Sequence, residues 1–219
     1  CMKFKEDLKT KRSRAKIILK KLEYLYPYAK CHLRFSNAFE LLIGCILSAQ
    51  CTDKRVNEVT KELFKKYRNP GDFSKADTKD LEMEIRSTGF YRAKSKSIIN
   101  CCKTVVENFQ GDIPKTMDEL VTLDGVGRKT ANVVLGNYYG IPGIIVDTHI
   151  KRLSSRLKLS EKSDPARIEF EIMELIPKKK WTFFSNALGD HGRTVCKSRK
   201  PNCNECKISS LCPSREIFV

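Results

Sequence analysis

The stretch LDGVGRKTANVV, residues 123–134, decides the fold of this chain. Two glycines flank Val126, and an Arg-Lys pair follows where an alanine-containing apolar run begins. Helix, Gly-x-Gly turn and helix make a helix–hairpin–helix pattern, in which the glycines permit a tight turn and close backbone approach. The second helix offers its first N–H groups to an anion, and its macrodipole favours a phosphate. The pattern therefore predicts a site that binds a nucleic-acid backbone without reading its sequence.

The composition bounds the size and the partners of the protein. Its 219 residues, 41% of them apolar, suffice for one large or two small packed domains, which bury roughly 70% of the unfolded surface. Lys and Arg number 42 against 26 Asp and Glu, which gives a net charge of +16. Such a surplus favours a polyanion, nucleic acid ahead of membrane, although a solvated lysine-rich surface has the same composition.

No segment of the sequence predicts membrane insertion or export. A run of about 18 apolar residues, the length that spans a bilayer, is absent, and AFELLIGCILSAQ is shorter and contains Glu40. The N-terminal residues carry charges without a following apolar core, which argues against a secretory signal. We therefore expect a cytoplasmic protein that associates with the nucleoid through DNA.

Apolar residues recur at helical spacing along nearly the whole chain, and no alternating strand pattern of useful length interrupts them. An Asn-Pro-Gly stretch at 69–71 indicates a turn. Short connections favour an all-α fold of closely packed helices. The expected helices cover about residues 7–26, 36–50, 53–66, 77–86, 95–109, 116–123, 128–139 and 181–189, with two more that begin after Asp147 and Asp164.

Four of the ten cysteines crowd into the spacing C-x6-C-x2-C-x5-C. They are Cys196, Cys203, Cys206 and Cys212. Without an export signal, metal ligation is favoured over disulfides, and four thiolates suit either zinc or an iron–sulfur cluster. A single C-x2-C with two outlying cysteines fits a compact loop around a cluster better than a zinc ribbon. The cations around this loop predict a phosphate-binding face or, individually, solvated charge: Arg193, Lys197, Arg199, Lys200 and Lys207.

Lys129 and Asp147 each permit two interpretations. For an isolated Gly-Arg-Lys, Lys129 is better explained as a phosphate contact, but a lysine amine can also form a Schiff base. Asp147 precedes Thr148-His149-Ile150, and its spacing favours a helix N-cap. Alternatively its carboxylate lies in a cleft, where it takes a proton or stabilises a cationic sugar. His149 is better explained as structural than as catalytic.

Five motifs occur in an order that resembles the endonuclease III family. They are LSAQCTDKRVN, GFYRAKSKSI, LDGVGRKTANVVLG, VDTHIKRL, and HGRTVC with its cysteine tail. The similarity runs from about residue 15 to 212. Members of this family are bifunctional DNA glycosylases and abasic-site lyases of base excision repair, so the resemblance implies that the chain is such an enzyme.

The resemblance also implies a two-lobed all-α architecture. Residues 31–141 would form a six-helix barrel that contains the hairpin, at about 116–139. Residues 1–30 and 142–219 would form a discontinuous helical lobe with a [4Fe-4S] cluster on the four cysteines of 196–212. Duplex DNA with damaged pyrimidines or abasic sites would cross the cleft between the lobes, and the chain would act as a monomer.

The chemistry implied by the resemblance assigns catalysis to Lys129 and Asp147. The base leaves the stack, Lys129 attacks the sugar C1′, and Asp147 supports this step electrostatically or as a base. The resulting Schiff base acidifies the C2′ proton, so that β-elimination cuts the strand 3′ to the lesion. Substrates would be oxidised pyrimidines, such as thymine glycol, and abasic sites. The cluster would be structural and position DNA.

The expected DNA contacts include two wedge residues and the hairpin. Gln50 would fill the gap left by the extruded nucleotide, and Phe90 stands at a second wedge position where leucine is common in the family. The full set is Gln50, Phe90, Gly125, Val126, Gly127, Arg128, Thr130, His149 and Arg193. Asp124 departs from the family's usual proline, and would repel DNA slightly or cap the following turn. Cys51 replaces a common alanine, which we expect to be neutral.

Two other functions stay open from the sequence. A monofunctional mismatch glycosylase is disfavoured, since such relatives generally lack a lysine at position 129, and adenine-specific ones add a C-terminal domain. A non-enzymatic, metal-bound DNA-binding or redox-sensing module would bind DNA with strong salt dependence but would not cleave it. A nicking assay separates this module from an enzyme.

Overall fold

The computed structural model describes residues 6–218, and within this range the regular secondary structure is helical, without strands. The predicted all-α class is confirmed. Residues 1–5, which the sequence assigns to the start of the discontinuous lobe, and Val219 lie outside the described residues. None of the described helices is both long and apolar enough to span a membrane.

The helices follow one another with short connections. The α-helices are α1 (Leu8–Leu25), α2 (Ala38–Leu47), α3 (Asp53–Lys66), α4 (Pro70–Ser74), α5 (Thr78–Ile85), α6 (Tyr91–Phe109), α7 (Met117–Leu120), α8 (Arg128–Asn137), α9 (Thr148–Arg156), α10 (Pro165–Leu175) and α11 (Trp181–Thr194). Short 3-10 helices lie at Arg86–Thr88, Lys178–Lys180, Ser209–Leu211 and Arg215–Ile217.

Polar side chains at the N-caps explain where most helices begin. Asn37 Oδ1 accepts a hydrogen bond from the Glu40 backbone N–H at 2.9 Å, at the start of α2. Thr52 does the same for α3, with the Arg55 N–H at 3.3 Å. Each cap satisfies an N–H that has no acceptor within its helix. Asp7, Asp77, Thr116 and Asp164 cap other helices in the same way.

Three departures from the expected helix boundaries span four residues or more. Asn69 begins a turn that continues into α4, because its side chain accepts from the Asp72 N–H and Pro70 takes the first helical position. The helix expected from residue 95 begins at Tyr91, directly after a left-handed residue that has no capping side chain. The helix expected to end at Gly189 continues to Thr194, and a tertiary hydrogen bond from Arg152 Nη2 to the Gly192 carbonyl, at 2.9 Å, holds its last turn.

Residues 31–141 form one compact unit. Its centre is α2, in which nine of ten residues are buried and which packs against α3, α6 and α8. The sequence AFELLIGCIL allows this because it is apolar on every side apart from Glu40, at its N-terminus. Helices α4 and α5 pack on α6, and α7 packs on α8. This arrangement holds the hairpin residues 121–127 between α7 and α8.

The described residues of the ranges 1–30 and 142–219 form the second compact unit. Helix α1 packs against α10 and α11, and α9 packs against α11. Ile18 and Leu22 of α1 are fully buried beside Phe184 and Leu188 of α11. Burial of an aliphatic side chain contributes about 1.5–3 kcal/mol, which explains why a helix from one end of the chain joins helices from the other.

Candidate functional site

The hairpin leads into a helix whose N-cap has no side chain. Gly127 occupies that position with extended backbone (φ −97°, ψ 176°), and α8 begins at Arg128. Leu123 and Val126 anchor the turn in the core, with the Val126 N–H donating to the Leu123 carbonyl at 3.1 Å. The first N–H groups of an α-helix have no intrahelical acceptor. The start of α8 therefore offers N–H donors and the positive end of a dipole to an external anion.

Gly125 is required by both conformation and space. Its φ of +76° lies in the left-handed region that favours glycine. A Cβ added there would lie 3.0 Å from Ser97 Cβ on α6. The hairpin thus packs closely on α6, and any larger residue at 125 would push the two apart.

Asp124 bonds to α6 instead of capping the following turn. Its Oδ1 accepts a hydrogen bond from Ser97 Oγ at 3.1 Å, and its Oδ2 accepts one from Asn100 Nδ2 at 3.0 Å. A proline could not accept either bond. The carboxylate that looked unfavourable beside a phosphate site therefore fastens the hairpin to its neighbouring helix.

Lys129 lies exposed in the first turn of α8. Its positive charge acts on the buried Cys45 thiol of α2, the helix on which α8 packs. Burial raises the pKa of Cys45 well above its usual range, Cys31 adds to this, and Lys129 opposes it. Lys129 thus combines an exposed side chain with a backbone position fixed by the central helix.

Asp147 is the N-cap of α9, as its spacing indicated. Its Oδ1 accepts a hydrogen bond from the Ile150 N–H at 2.7 Å, and the residue is partly exposed. The preceding residues Ile144–Val146 are buried, which fixes the backbone on that side. The cap holds the carboxylate in place and is compatible with a further role for it.

The two wedge candidates share an unusual backbone conformation. Gln50 has φ +52° and Phe90 has φ +49°, and both side chains are exposed, Phe90 to 64%. Left-handed backbone is uncommon for residues other than glycine, and it concentrates at functional sites. The sequence carries no signal for these angles.

His149 and Arg193 lie on α9 and α11 of the other unit. His149 Nδ1 is 3.1 Å from Arg152 Nη2, and a Cβ at Gly192 would come within 3.0 Å of that same ring nitrogen. Burial lowers the pKa of His149, against the opposing charge of Asp147. Arg193 Nη1 lies 3.5 Å from Asp190 Oδ1. His149 is therefore packed into the contact between α9 and α11.

All four cysteines of the C-x6-C-x2-C-x5-C pattern line one cavity, and each thiol is free. The cavity is also lined by Leu153, His191 and Ile208. Among residues 6–218, no group of three or more His, Cys, Asp or Glu side chains is arranged to hold a single metal ion. The donor set at this cavity consists of thiols, which suits an iron–sulfur cluster.

Two arginines of α9 that no sequence motif singles out hold the cysteine loop. Arg156 donates from Nη1 to Cys196 Sγ at 3.3 Å and to the Lys197 carbonyl at 2.7 Å, and from Nη2 to the Ser198 carbonyl at 2.9 Å. Arg152 donates to the Cys196 carbonyl at 3.0 Å. The two lie four apart on α9, a spacing that puts them on one face of the helix and that could have marked them.

A neutral histidine also contacts the cysteine loop. His191 is 2% exposed, and burial lowers its pKa to about 4. Its Nε2 lies 3.4 Å from Cys206 Sγ, and its Nδ1 lies 3.0 Å from the Tyr26 hydroxyl. This chain of contacts joins Cys206 through α11 to the end of α1.

Comparison with known proteins identifies the family. Residues 43–178 match the family of "HhH-GPD superfamily base excision DNA repair protein". Endonuclease III of Synechocystis sp. is 50% identical over 94% of this chain and 95% of the relative, and endonuclease III of Bacillus subtilis is 44% identical over 89% of each. A solved non-covalent endonuclease III–DNA complex matches with a TM-score of 0.91 at 40% identity, over 94% of this chain and 97% of that one.

The fold and hairpin thus define a helix–hairpin–helix protein of base excision repair. The chain belongs to the endonuclease III family. The resemblance and the all-α fold that it implied are confirmed, and the chain is a DNA repair enzyme.

The bonds of Asp124 generate a prediction. Asp124→Ala removes two hydrogen bonds between the hairpin and α6, so we expect the free energy of unfolding to fall by about 1–2 kcal/mol. Asn100→Ala in the Asp124→Ala background should cost less than Asn100→Ala alone, because the partners have already been separated. Urea unfolding of the four proteins in this cycle measures the coupling, and strictly additive changes would contradict the assignment.

Proposed function

We propose that this DNA glycosylase and abasic-site lyase removes oxidised pyrimidines, such as thymine glycol, from duplex DNA and cuts the strand 3′ to the resulting abasic site. The observation that carries the proposal is the position of Lys129. Its side chain is exposed in the first turn of a helix whose glycine-capped start suits a DNA phosphate. A solved relative with a TM-score of 0.91 is a trapped endonuclease III–DNA covalent intermediate, which supports covalent chemistry in the family.

Lys129 and Asp147 carry the bond changes in this proposal. The Lys129 amine forms a bond to C1′ as the glycosidic bond breaks, and the departing base takes the electron pair and then a proton from water. Opening of the sugar ring gives a protonated Schiff base. Loss of the C2′ proton to a base then expels the 3′ phosphate by β-elimination. Water finally hydrolyses the Schiff base, which releases the cut strand and restores the Lys129 amine. Asp147 accepts a proton from the attacking amine or stabilises the cationic sugar.

The hairpin and the wedge residues act before the chemistry. The N–H groups of Arg128, Lys129 and Thr130, next to Gly125–Gly127, bind the phosphate backbone. Extrusion of the damaged nucleotide costs a few kcal/mol. Gln50 and Phe90, exposed on left-handed backbone, fill and wedge the gap that it leaves. His149 and Arg193 contact DNA from the second unit.

The four cysteines, in this proposal, hold a [4Fe-4S] cluster. Support comes from the cavity that all four line and from the guanidinium of Arg156 beside Cys196 Sγ. When bound, the cluster supplies cross-links that order the loop of 196–212 and its cations. Residues 31–141 serve as the six-helix barrel lobe, and residues 1–30 with 142–219 as the cluster lobe. The enzyme works as a monomer on cytoplasmic DNA.

The Schiff base is tested by trapping. With sodium borohydride and thymine-glycol duplex, we expect wild type to form a covalent enzyme–DNA adduct and to nick the strand. Lys129→Gln should form none, because the amide is not nucleophilic. Lys103→Gln, an exposed lysine on α6, is the matched control and should trap normally. An adduct that persists in Lys129→Gln would remove Lys129 from the proposed role.

The N-cap role of Asp147 can be tested separately from the role of its negative charge. Asn is as good an N-cap as Asp, so Asp147→Asn should keep the bond to the Ile150 N–H and leave the melting temperature unchanged. Base removal should slow at least about 100-fold, because the charge and the general base are lost. Asp164→Asn, at the N-cap of α10, is the control. Normal single-turnover rates in Asp147→Asn would show that Asp147 is a cap alone.

Arg156 generates a prediction about the cluster. Arg156→Met removes donors to Cys196 Sγ and to the carbonyls of Lys197 and Ser198. We expect purified protein with less iron and weaker visible absorbance, and faster bleaching in a chelator. Arg167→Met, an exposed residue of α10, should retain wild-type iron. Equal iron retention in both variants would mean that Arg156 does not support the cluster.

A further inference from the structure

Lys94 is a buried lysine, and the acceptors of its ammonium group are backbone carbonyls. It lies in the first turn of α6, is 5% exposed, and its Nζ donates to the carbonyls of Leu47 and Thr88, each at 2.8 Å. Burial lowers its pKa, with a smaller opposing effect from Cys51. Lysine is rarely buried this far without a specific partner, and here the partners are two backbone carbonyls.

The two carbonyls lie at the starts of two separate loops. Leu47 is the last residue of α2, and its carbonyl is at the negative end of that helix. Gln50 follows it by three positions. Thr88 is the last residue of the 3-10 helix Arg86–Thr88, and Phe90 follows it by two. One ammonium group is thus bonded at the base of both segments that present the wedge candidates.

Both segments need such support because each contains a residue in an unfavourable backbone conformation. Gln50 and Phe90 have positive φ angles, and residues other than glycine keep this conformation where the surroundings hold it. Each loop has local bonds: Ser48 Oγ donates to the Cys45 carbonyl, and Thr88 Oγ1 donates to the Ile85 carbonyl. These bonds shape each loop by itself. Lys94 bonds to both loops.

We propose that Lys94 is a positioning residue that ties the Gln50 segment and the Phe90 segment to one point, so that both side chains enter the duplex together when a base is extruded. The proposal rests on the proposed function, since it concerns how wedging is achieved. The proposal gives a positioning role to Lys94, which lies in the GFYRAKSKSI motif. Neither the apolar pattern of α6 nor the proposed catalysis by Lys129 calls for a lysine at this position.

The test compares Lys94→Met with Lys103→Met, a surface residue of the same helix. Methionine keeps the length and apolar character of the side chain but has no donor. On thymine-glycol duplex we expect Lys94→Met to lower kcat/KM about tenfold or more, the equivalent of at least about 1.4 kcal/mol. It should also reduce the fluorescence rise of 2-aminopurine placed opposite the lesion, which reports base unstacking on binding. Lys103→Met should match wild type in both measurements.

The same substitution in a background that lacks both wedge side chains separates positioning from a general structural effect. In the background Gln50→Ala with Phe90→Ala, Lys94→Met should lower kcat/KM by less than about twofold, because the side chains that it positions are gone. An unchanged tenfold loss in that background would overturn the proposal, as would wild-type behaviour of Lys94→Met in the otherwise native protein.

Folding is checked first by far-UV circular dichroism and thermal unfolding. Should Lys94→Met not fold, Lys94→Gln, which keeps a donor on a shorter chain, is carried through the same two backgrounds with the same expected non-additivity. Failure of the proposed function itself is distinguishable, because wild type would then leave thymine-glycol DNA uncut.

Discussion

The N-terminus of α8 has N–H donors but no side chain to cap them. Gly127 occupies the cap, so the acceptor must come from outside the helix. Contacts within residues 31–141 hold the N-terminus of α8 in place. Val126 and Leu123 anchor the turn, Gly125 lets it approach α6, and Asp124 bonds to Ser97 and Asn100. Beneath α8 lies α2, buried along its whole length apart from partly exposed Glu40. In the proposed function, a DNA phosphate binds at this helix start.

The cysteine loop is an irregular segment, and its backbone carbonyl groups need hydrogen-bond donors from other parts of the chain. Guanidinium groups satisfy several of these carbonyls: Arg156 binds those of Lys197 and Ser198, and Arg152 binds that of Cys196. These arginines come from α9, the helix that Asp147 caps at its other end. The candidate catalytic carboxylate and the cysteine loop are therefore attached to the same short helix.

Local patterns predicted the helices well where a cap and an apolar period coincide. Asn37 and Thr52 are N-caps because a short polar side chain can reach an N–H three residues on. The boundaries that were wrong depend on other forces. Asn69-Pro70-Gly71 has turn residues, yet Pro70 is also suited to the first position of a helix, and α4 packs on α6. Helix α6 begins after Phe90, where no capping residue marks the start.

The sequence by itself determined the all-α class, the family, the hairpin and the spacing of the four cysteines, because each depends on residues close together in the chain or on motifs in order. Only the tertiary structure decided the hydrogen-bond partners of Asp124, Lys94 and Arg156. Their partners are a serine and an asparagine on another helix, or backbone carbonyls far away in sequence. A carbonyl belongs to every residue, so a bond to it has no sequence signature and exists only once the chain has folded.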